Sequence, residues 1–283
     1  IRDRTINDTE SPTIVCPPNI IQDNDFGVCG ATANYVTPIG IDNCAGSTTA
    51  LLFGQLSGTV FPIGTTSIIY EVFDLAGYAA SCLFDVTIND VELPTIVCPP
   101  DIVQNNDLGI CGATVNYVNP VGLDNCPFLT TTMTAGQADG TVFPIGTTTV
   151  TYFVEDASLN TETCTFYVTV NDAENPTIVC PSNIFQSNDF GICGAVVPYI
   201  VPIGFDNCPG EVTSQLSGPP TGSLFPIATT PISYQVIDAS FNIATCNFTV
   251  TVFDGESPAL VCPPDQNVSF DANCLYTLLD YLP

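Results

Sequence analysis

Acidic residues recur in this chain at fixed intervals, and their spacing suggests cation chemistry. Asp8-x-Glu10, Asp90-x-Glu92 and Asp172-x-Glu174 repeat one pattern with a constant period of 82. Asp42, Asp124 and Asp206 each open an Asp-Asn-Cys triplet, and Asp74, Asp156 and Asp238 each follow a long apolar run. Several carboxylates converging with backbone carbonyls make a hard oxygen site of the kind Ca²⁺ takes. Carboxylate pairs also serve glycoside hydrolysis. An enzyme concentrates such a pair in one place, however, and these acids are spread evenly over the copies. The chain has no His, no Lys and no Trp, which removes the commonest general bases and amine nucleophiles. No catalytic residue is expected.

The cysteines keep the same interval. Cys16, Cys98, Cys180 and Cys262 are spaced by 82, as are Cys29, Cys111 and Cys193; Cys44, Cys126 and Cys208; and Cys82, Cys164 and Cys246. Within a repeat the spacings are 13, 15 and 38, with no Cys-x-x-Cys pair. That pattern reads as disulfides in an oxidising, extracellular setting rather than as metal thiolates. Four cysteines per repeat leave three connectivities open.

Twenty-nine acidic residues face only Arg2 and Arg4, for a net charge of −27. Nucleic acid and anionic membrane surfaces both need cationic side chains, so neither is an expected partner. With 45% hydrophobic and 11% charged residues, the chain nevertheless belongs among packed rather than acidic disordered proteins. No apolar run approaches the ~18 residues of a membrane helix. No signal peptide opens the sequence, which suggests a mature chain or one excised from a longer array.

The elements that position these residues are short strands. The run from Cys82 alternates, with Phe84, Val86 and Ile88 on one side and Leu83, Asp85 and Thr87 on the other, the period of a half-buried strand. An acidic hinge and Pro94 end it, and Thr95-Ile96-Val97-Cys98 starts the next repeat. Residues 1–10 read as the final strand of a preceding repeat. Full repeats follow at 11–92, 93–174 and 175–256, and 257–283 reads as a truncated fourth. Gln22–Gly27 reads as a turn and Ala31–Val36 as a strand. The strand at Ile68–Phe73 holds its core face at Ile68, Tyr70 and Val72, matched by Val150, Tyr152 and Val154 and by Ile232, Tyr234 and Val236. One face stays apolar and the other drifts, as a two-sheet sandwich with a solvated face requires. The reading is all-β: tandem sandwiches with an 82-residue period.

At these residues the chain resembles the hyalin repeat (HYR) family of immunoglobulin-like modules. The motifs that carry the likeness are Pro94-Thr-Ile-Val-Cys98-Pro99, Gly122-Leu-Asp124-Asn125-Cys126, Phe143-Pro144-Ile145-Gly146-Thr147-Thr148 and the Asp156-Ala-Ser-Leu159-Asn160 turn. Leu159 stands where the family usually has glycine, a position that Gly77 keeps. The array looks like those of large surface proteins in Bacteroidetes-type bacteria. The resemblance implies a cell-surface or extracellular stalk or adhesive role and no catalysis. It also implies the disulfides Cys16–Cys82, Cys98–Cys164 and Cys180–Cys246, with Cys29–Cys44, Cys111–Cys126 and Cys193–Cys208 as the second pair in each repeat.

In an immunoglobulin-like sandwich, two loops at one end meet the preceding linker. That geometry groups Asp8, Glu10, Asp42 and Asp74; then Asp90, Glu92, Asp124 and Asp156; then Asp172, Glu174, Asp206 and Asp238 around calcium at each junction. The expected function is a disulfide-stapled stalk or filament stiffened by calcium. Its partners would be neighbouring repeats, and identical chains if it assembles into filaments. The alternative is an adhesin that binds glycan or protein through the variable loops at 45–59, 127–141 and 209–223. Asn7, Asn247 and Asn267 open glycosylation sequons.

Overall fold

The computed structural model describes residues 7–262 and divides into two units, Ile1–Glu174 and Asn175–Pro283. Arg2, Arg4, Asn267 and most of the expected fourth repeat lie outside the described residues. Every element among the described residues is a strand. The first repeat contains β1 (Ile20–Asp23), β2 (Gly30–Ala33), β3 (Thr48–Phe53), β4 (Thr59–Pro62), β5 (Gly64–Phe73) and β6 (Ala79–Asn89). The second contains β7 (Thr95–Ile96), β8 (Ile102–Asn105), β9 (Gly112–Val115), β10 (Gly122–Leu123), β11 (Thr130–Ala135), β12 (Thr141–Pro144), β13 (Gly146–Glu155) and β14 (Thr161–Asn171). In the second unit, β15 (Thr177–Ile178), β16 (Ile184–Ser187), β17 (Gly194–Val196), β18 (Gly204–Phe205), β19 (Val212–Ser217), β20 (Leu224–Pro226), β21 (Thr229–Ile237) and β22 (Ile243–Phe253) form the third.

Each repeat is a sandwich of unequal layers. One sheet has four strands in the order β1-β6-β5-β3, and its counterparts are β8-β14-β13-β11 and β16-β22-β21-β19. The other layer is built from two-stranded pairs, β2 with β4 and, in the second repeat, β9 with β12 and β7 with β10. Alternation decides which way each strand faces. In β6, Cys82, Phe84, Val86 and Ile88 are buried, while Leu83 and Asn89 are exposed. Ile68, Tyr70 and Val72 of β5 meet them across the same face.

Between the layers, the Tyr35 ring packs edge-on to Phe84 at 5.0 Å, and its hydroxyl lies 3.1 Å from that of Tyr70. A buried phenol needs such a partner. Burial, and then the Tyr70 hydroxyl, push the Tyr35 phenol well above its ordinary pKa. The pairs Tyr117–Tyr152 and Tyr199–Tyr234 repeat the arrangement at 3.3 and 3.2 Å.

Three expectations need correction. The Thr-Ile-Val-Cys run is a two-residue pairing at β7 and β15, and in the first repeat only a bridge from Thr13 to Ile41. The opening strand of the large sheet lies further on, at β1, which takes up Gln22 and Asp23 of the segment read as a turn; the turn itself follows, with Val28 N donating to Asp25 O at 2.9 Å. β1 pairs in parallel with the closing strand, Ile20 opposite Val86. Prolines at 17, 18, 99 and 100 break the first run, and pairing with Ile88 and Asn89 of β6 holds Gln22 and Asp23 extended. The strand expected over Ala31–Val36 ends at Ala33.

Candidate functional site at the repeat junction

The first unit contains a complete junction between two repeats. It is closed covalently by Cys29–Cys126, with Cα atoms 4.8 Å apart. This corrects the second disulfide expected within each repeat. Cys29 does not pair with Cys44, and Cys126 is therefore unavailable to Cys111. Cys193 is unbonded, so it does not pair with Cys208. The reason is directional. Cys29 follows the turn at the far end of its repeat, and the chain runs on through β2 before reaching Cys44 beyond the Ile41 bridge. The Cys126 loop of the next repeat instead meets that turn directly, and Asn125 Nδ2 donates to Val28 O at 3.0 Å. Cys16–Cys82, Cys98–Cys164 and Cys180–Cys246 are formed, each with a sequence separation of 66.

The carboxylates divide into two roles. Glu92 points back to the repeat that precedes it, where its Oε2 accepts from Gly27 N at 2.7 Å and Asn24 Nδ2 at 3.4 Å. Glu174 accepts likewise from Gly109 N at 2.7 Å, and Glu256 from Gly191 N at 2.8 Å. Glu10 accepts instead from Asn43 Nδ2 at 2.7 Å. These glutamates cap turns and orient the linker.

The aspartates gather. Asp90 is only 8% exposed, and ligand atoms of Asp90, Asp124 and Cys126 lie within 4.8 Å of one another. Burial, followed by the charges of Asp124, Asp156 and Glu92, raises the pKa of the Asp90 carboxyl from its ordinary value, against a lowering by the Glu92 backbone bond. Asp156, 4% exposed, organises the turn after β13. Its Oδ1 accepts from Ser158 N and Asn160 N at 2.8 Å each, and its Oδ2 accepts from Asn160 Nδ2 at 2.8 Å. The same Asn160 amide reaches Asp90 O at 3.2 Å, joining the turn to the linker. Asp124 Oδ2 accepts from Cys126 N at 2.9 Å, but Asp124 Oδ1 and Asn125 Oδ1 are buried without a hydrogen-bond partner. Orphaned buried oxygens beside a desolvated carboxylate fit a hard cation. Cys126 is no ligand there, because its sulfur is bonded to Cys29.

The start of the first repeat shows the same elements. Asp8, Asp42 and Cys44 place ligand atoms within 4.8 Å of one another. Asp74 Oδ1 accepts from Gly77 N and Tyr78 N at 2.7 and 2.8 Å, while Asp74 Oδ2 and Asp42 Oδ1 are buried and unpartnered. A hydrogen bond to Asp8, chiefly, raises the Cys44 thiol pKa. Asp172 Oδ1 accepts from Glu174 N at 3.2 Å. In the second unit, Asp206 Oδ2 accepts from Cys208 N at 2.9 Å, and the buried Asp238 accepts from Ser240 N and Asn242 N at 2.8 Å. The fourth position of the aspartate-led turn, three residues after the aspartate, explains the glycine found there in the first repeat. Gly77 has φ +95°, and Leu159 and Phe241 take the same left-handed region at +70° and +69°.

The HYR domain pattern matches residues 7–88, 89–170 and 171–252. The chain belongs to the HYR domain family. It is 36% identical over 253 residues to hyalin of the sea urchin Strongylocentrotus purpuratus, covering 87% of this chain and 21% of that protein. To hyalin of Lytechinus variegatus it is 33% identical over 272 residues, covering 91% and 50%. The chain thus spans half or less of these relatives. A rat protein named for sushi, von Willebrand factor type A, EGF and pentraxin domains is 28% identical over 172 residues, 58% of this chain and 4% of that protein. These relatives are animal proteins and give the expected bacterial source no support. Among solved structures, the protocadherin gammaB7 EC3–6 cis-dimer aligns at 12% identity with a TM-score of 0.35, covering 86% of this chain and 74% of that one. The HYR family is not a known enzyme family, and this HYR array is extracellular or on the cell surface.

Proposed function

We propose that this HYR array is a stalk or filament segment whose junctions are stiffened by calcium. The observation that carries the proposal is the junction between the first two repeats. There Asp90, Asp124 and Asp156 are drawn together under a disulfide that joins the repeats, in a chain with two basic residues. Carboxylates packed without a cation repel and are costly to desolvate. Calcium relieves both effects, and it would be held by Asp90, Asp124 and the Asn125 side-chain oxygen. Asp156 keeps its turn bonds and adds charge from behind, and Glu92 fixes the linker. The short linker and the strap limit bending, so repeats added in series add length.

Calorimetric titration of chelator-treated protein should show calcium binding. At a hundred times the dissociation constant, calcium should raise stability by about 2.7 kcal/mol. X-ray scattering should give a larger maximum dimension in calcium than in chelator. The raised carboxyl of Asp90 sets the sign of the pH effect. Its charged form penalises the folded state, so the penalty grows as pH rises through the folded-state pKa and is absent below the unfolded one. Mild acidification should therefore stabilise the calcium-free protein. Asp90→Asn should likewise stabilise the calcium-free form while weakening the response to calcium. Identical melting and scattering with and without calcium would remove the metal from the proposal.

One observation favours the adhesin reading. Phe128, in the variable loop of the second repeat, is 84% exposed and holds φ +75°, where Gly46 and Gly210 hold +111° and +114°. A bulky residue kept in that backbone region is strained by roughly 1–3 kcal/mol. Phe128→Gly should leave stability unchanged or raise it by about 1 kcal/mol, yet reduce retention on a glycan array if the loop binds sugar. Unaltered retention on the same array counts against the adhesin.

A further inference from the structure

Among the described residues, one glycosylation sequon lies within a strand, Asn247-Phe248-Thr249 in β22. Alternation along the strand separates its three residues. Phe248 is 3% exposed and packs in the core of the third repeat, while Asn247 and Thr249 lie on the outward face. Asn247 is exposed, and among the described residues no hydrogen bond engages its side-chain amide.

The surroundings leave room at this amide. Ser233 of β21, a small residue, stands opposite Asn247, and Pro231 stands opposite Thr249. On the other side, β16 pairs with β22 only from Val250 onward, so its ladder stops short of Asn247. The same ladder position is filled differently in the other repeats. It holds Ile69 opposite Leu83 in the first, and Thr151 opposite Thr165 in the second, where the two hydroxyls lie 3.3 Å apart. The other candidate asparagines do not share this setting. Asn175-Pro176-Thr177 is barred by its proline. Asn7 precedes Asp8, whose carboxylate gathers with that of Asp42, and Asn267 lies outside the described residues.

We propose that Asn247 carries an N-linked glycan on the outer face of the large sheet of the third repeat. The proposal rests on the extracellular or cell-surface location of the array and not on calcium. Asn-x-Ser/Thr is the acceptor pattern of secreted proteins, and the donor class is an oligosaccharide carried on a lipid diphosphate. The amide nitrogen of Asn247 bonds to the anomeric carbon of the sugar. The bond from that carbon to the phosphate oxygen breaks, the amide gives up one proton, and the lipid diphosphate leaves with the electron pair. No oxidant or reductant takes part. Once β22 has paired, the strand's alternation keeps the glycan in solvent and Phe248 in the core. This face of the third repeat is then closed to other proteins.

The test secretes the whole 283-residue chain from an animal cell line and maps its peptides before and after peptide N-glycosidase. The secreted chain should carry a glycan at Asn247, and enzymatic release should leave aspartate there. Asn247→Gln and Thr249→Ala should each remove that glycan. Thr249→Ser should retain it, because a hydroxyl remains, and Asn7→Gln with Asn267→Gln should leave it in place. Asn247 is exposed, so Asn247→Gln should keep native circular dichroism and the Cys180–Cys246 bridge. A secreted chain bare at Asn247, or a glycan there confined to chains retained inside the cell, would overturn the proposal.

Discussion

Replacing Cys98 and Cys164 together by alanine should lower the stability of the second repeat by about 4 kcal/mol, taking the chain-entropy cost of a released loop of 66 residues. For a domain of this size that corresponds to a fall in melting temperature of roughly 15–30 °C. The bond joins the opening segment to β14 just ahead of the parallel pairing of Ile102 with Val168. Without it, the short edge strand β8 must hold its register through four residue pairs alone. Guanidinium unfolding followed by circular dichroism measures the difference. A loss below about 1 kcal/mol would show that the unbridged chain already confines the ends of this loop.

Phe166→Ala should cost about 3–5 kcal/mol, the range for emptying a large aromatic site in a core. Phe166 is 1% exposed, and its ring packs edge-on to Tyr117 at 5.1 Å. The Tyr117 hydroxyl in turn meets that of Tyr152 and donates to the carbonyl of Gln137. The cavity would therefore loosen a polar pair as well as an apolar one. The same unfolding experiment measures it, and a cost near 1 kcal/mol would mean that the layers close over the gap.

The alternating faces of β5, β6 and their counterparts were legible in the residues because period-2 patterning survives three copies of different composition. The register of the small sheet was not. Prolines crowd the segment where an edge strand was expected, and the real opening strand is only four residues, two apolar followed by two polar, too short to show an alternating pattern before β6 pairs with it. The second disulfide was hidden for a different reason. Cys44 and Cys126 occupy the same place in successive repeats, one period apart. A bond from Cys29 to its own repeat and a bond to the next repeat therefore leave the same spacing pattern, and only the direction of the chain after Cys29 separates them. Among the acids, loop position brings Asp42 to Asp8 and Asp124 to Asp90. The glutamates were misplaced in that grouping, because nothing in Asp-x-Glu says that the longer side chain turns back to a backbone N–H of the preceding repeat.

The bonds Cys16–Cys82 and Cys98–Cys164 also fix how far this protein can be drawn out under tension. A pull along the chain enters the first repeat near Cys16 and crosses to Cys82 through sulfur, leaving the segment between them unloaded. The next covalent crossing is at Cys98, in the opening segment of the following repeat. Fully extended, the stretch from Cys82 to Cys98 reaches roughly 55 Å, whereas a whole period without the bridges would reach about 280 Å. β1 lies inside the bridged segment, so its parallel ladder with β6 stays off the load path, and the pull runs from Cys82 along β6, which is already extended. Even a repeat whose core has given way would lengthen the tether only a little, and the load would pass to its neighbours along an unbroken covalent path.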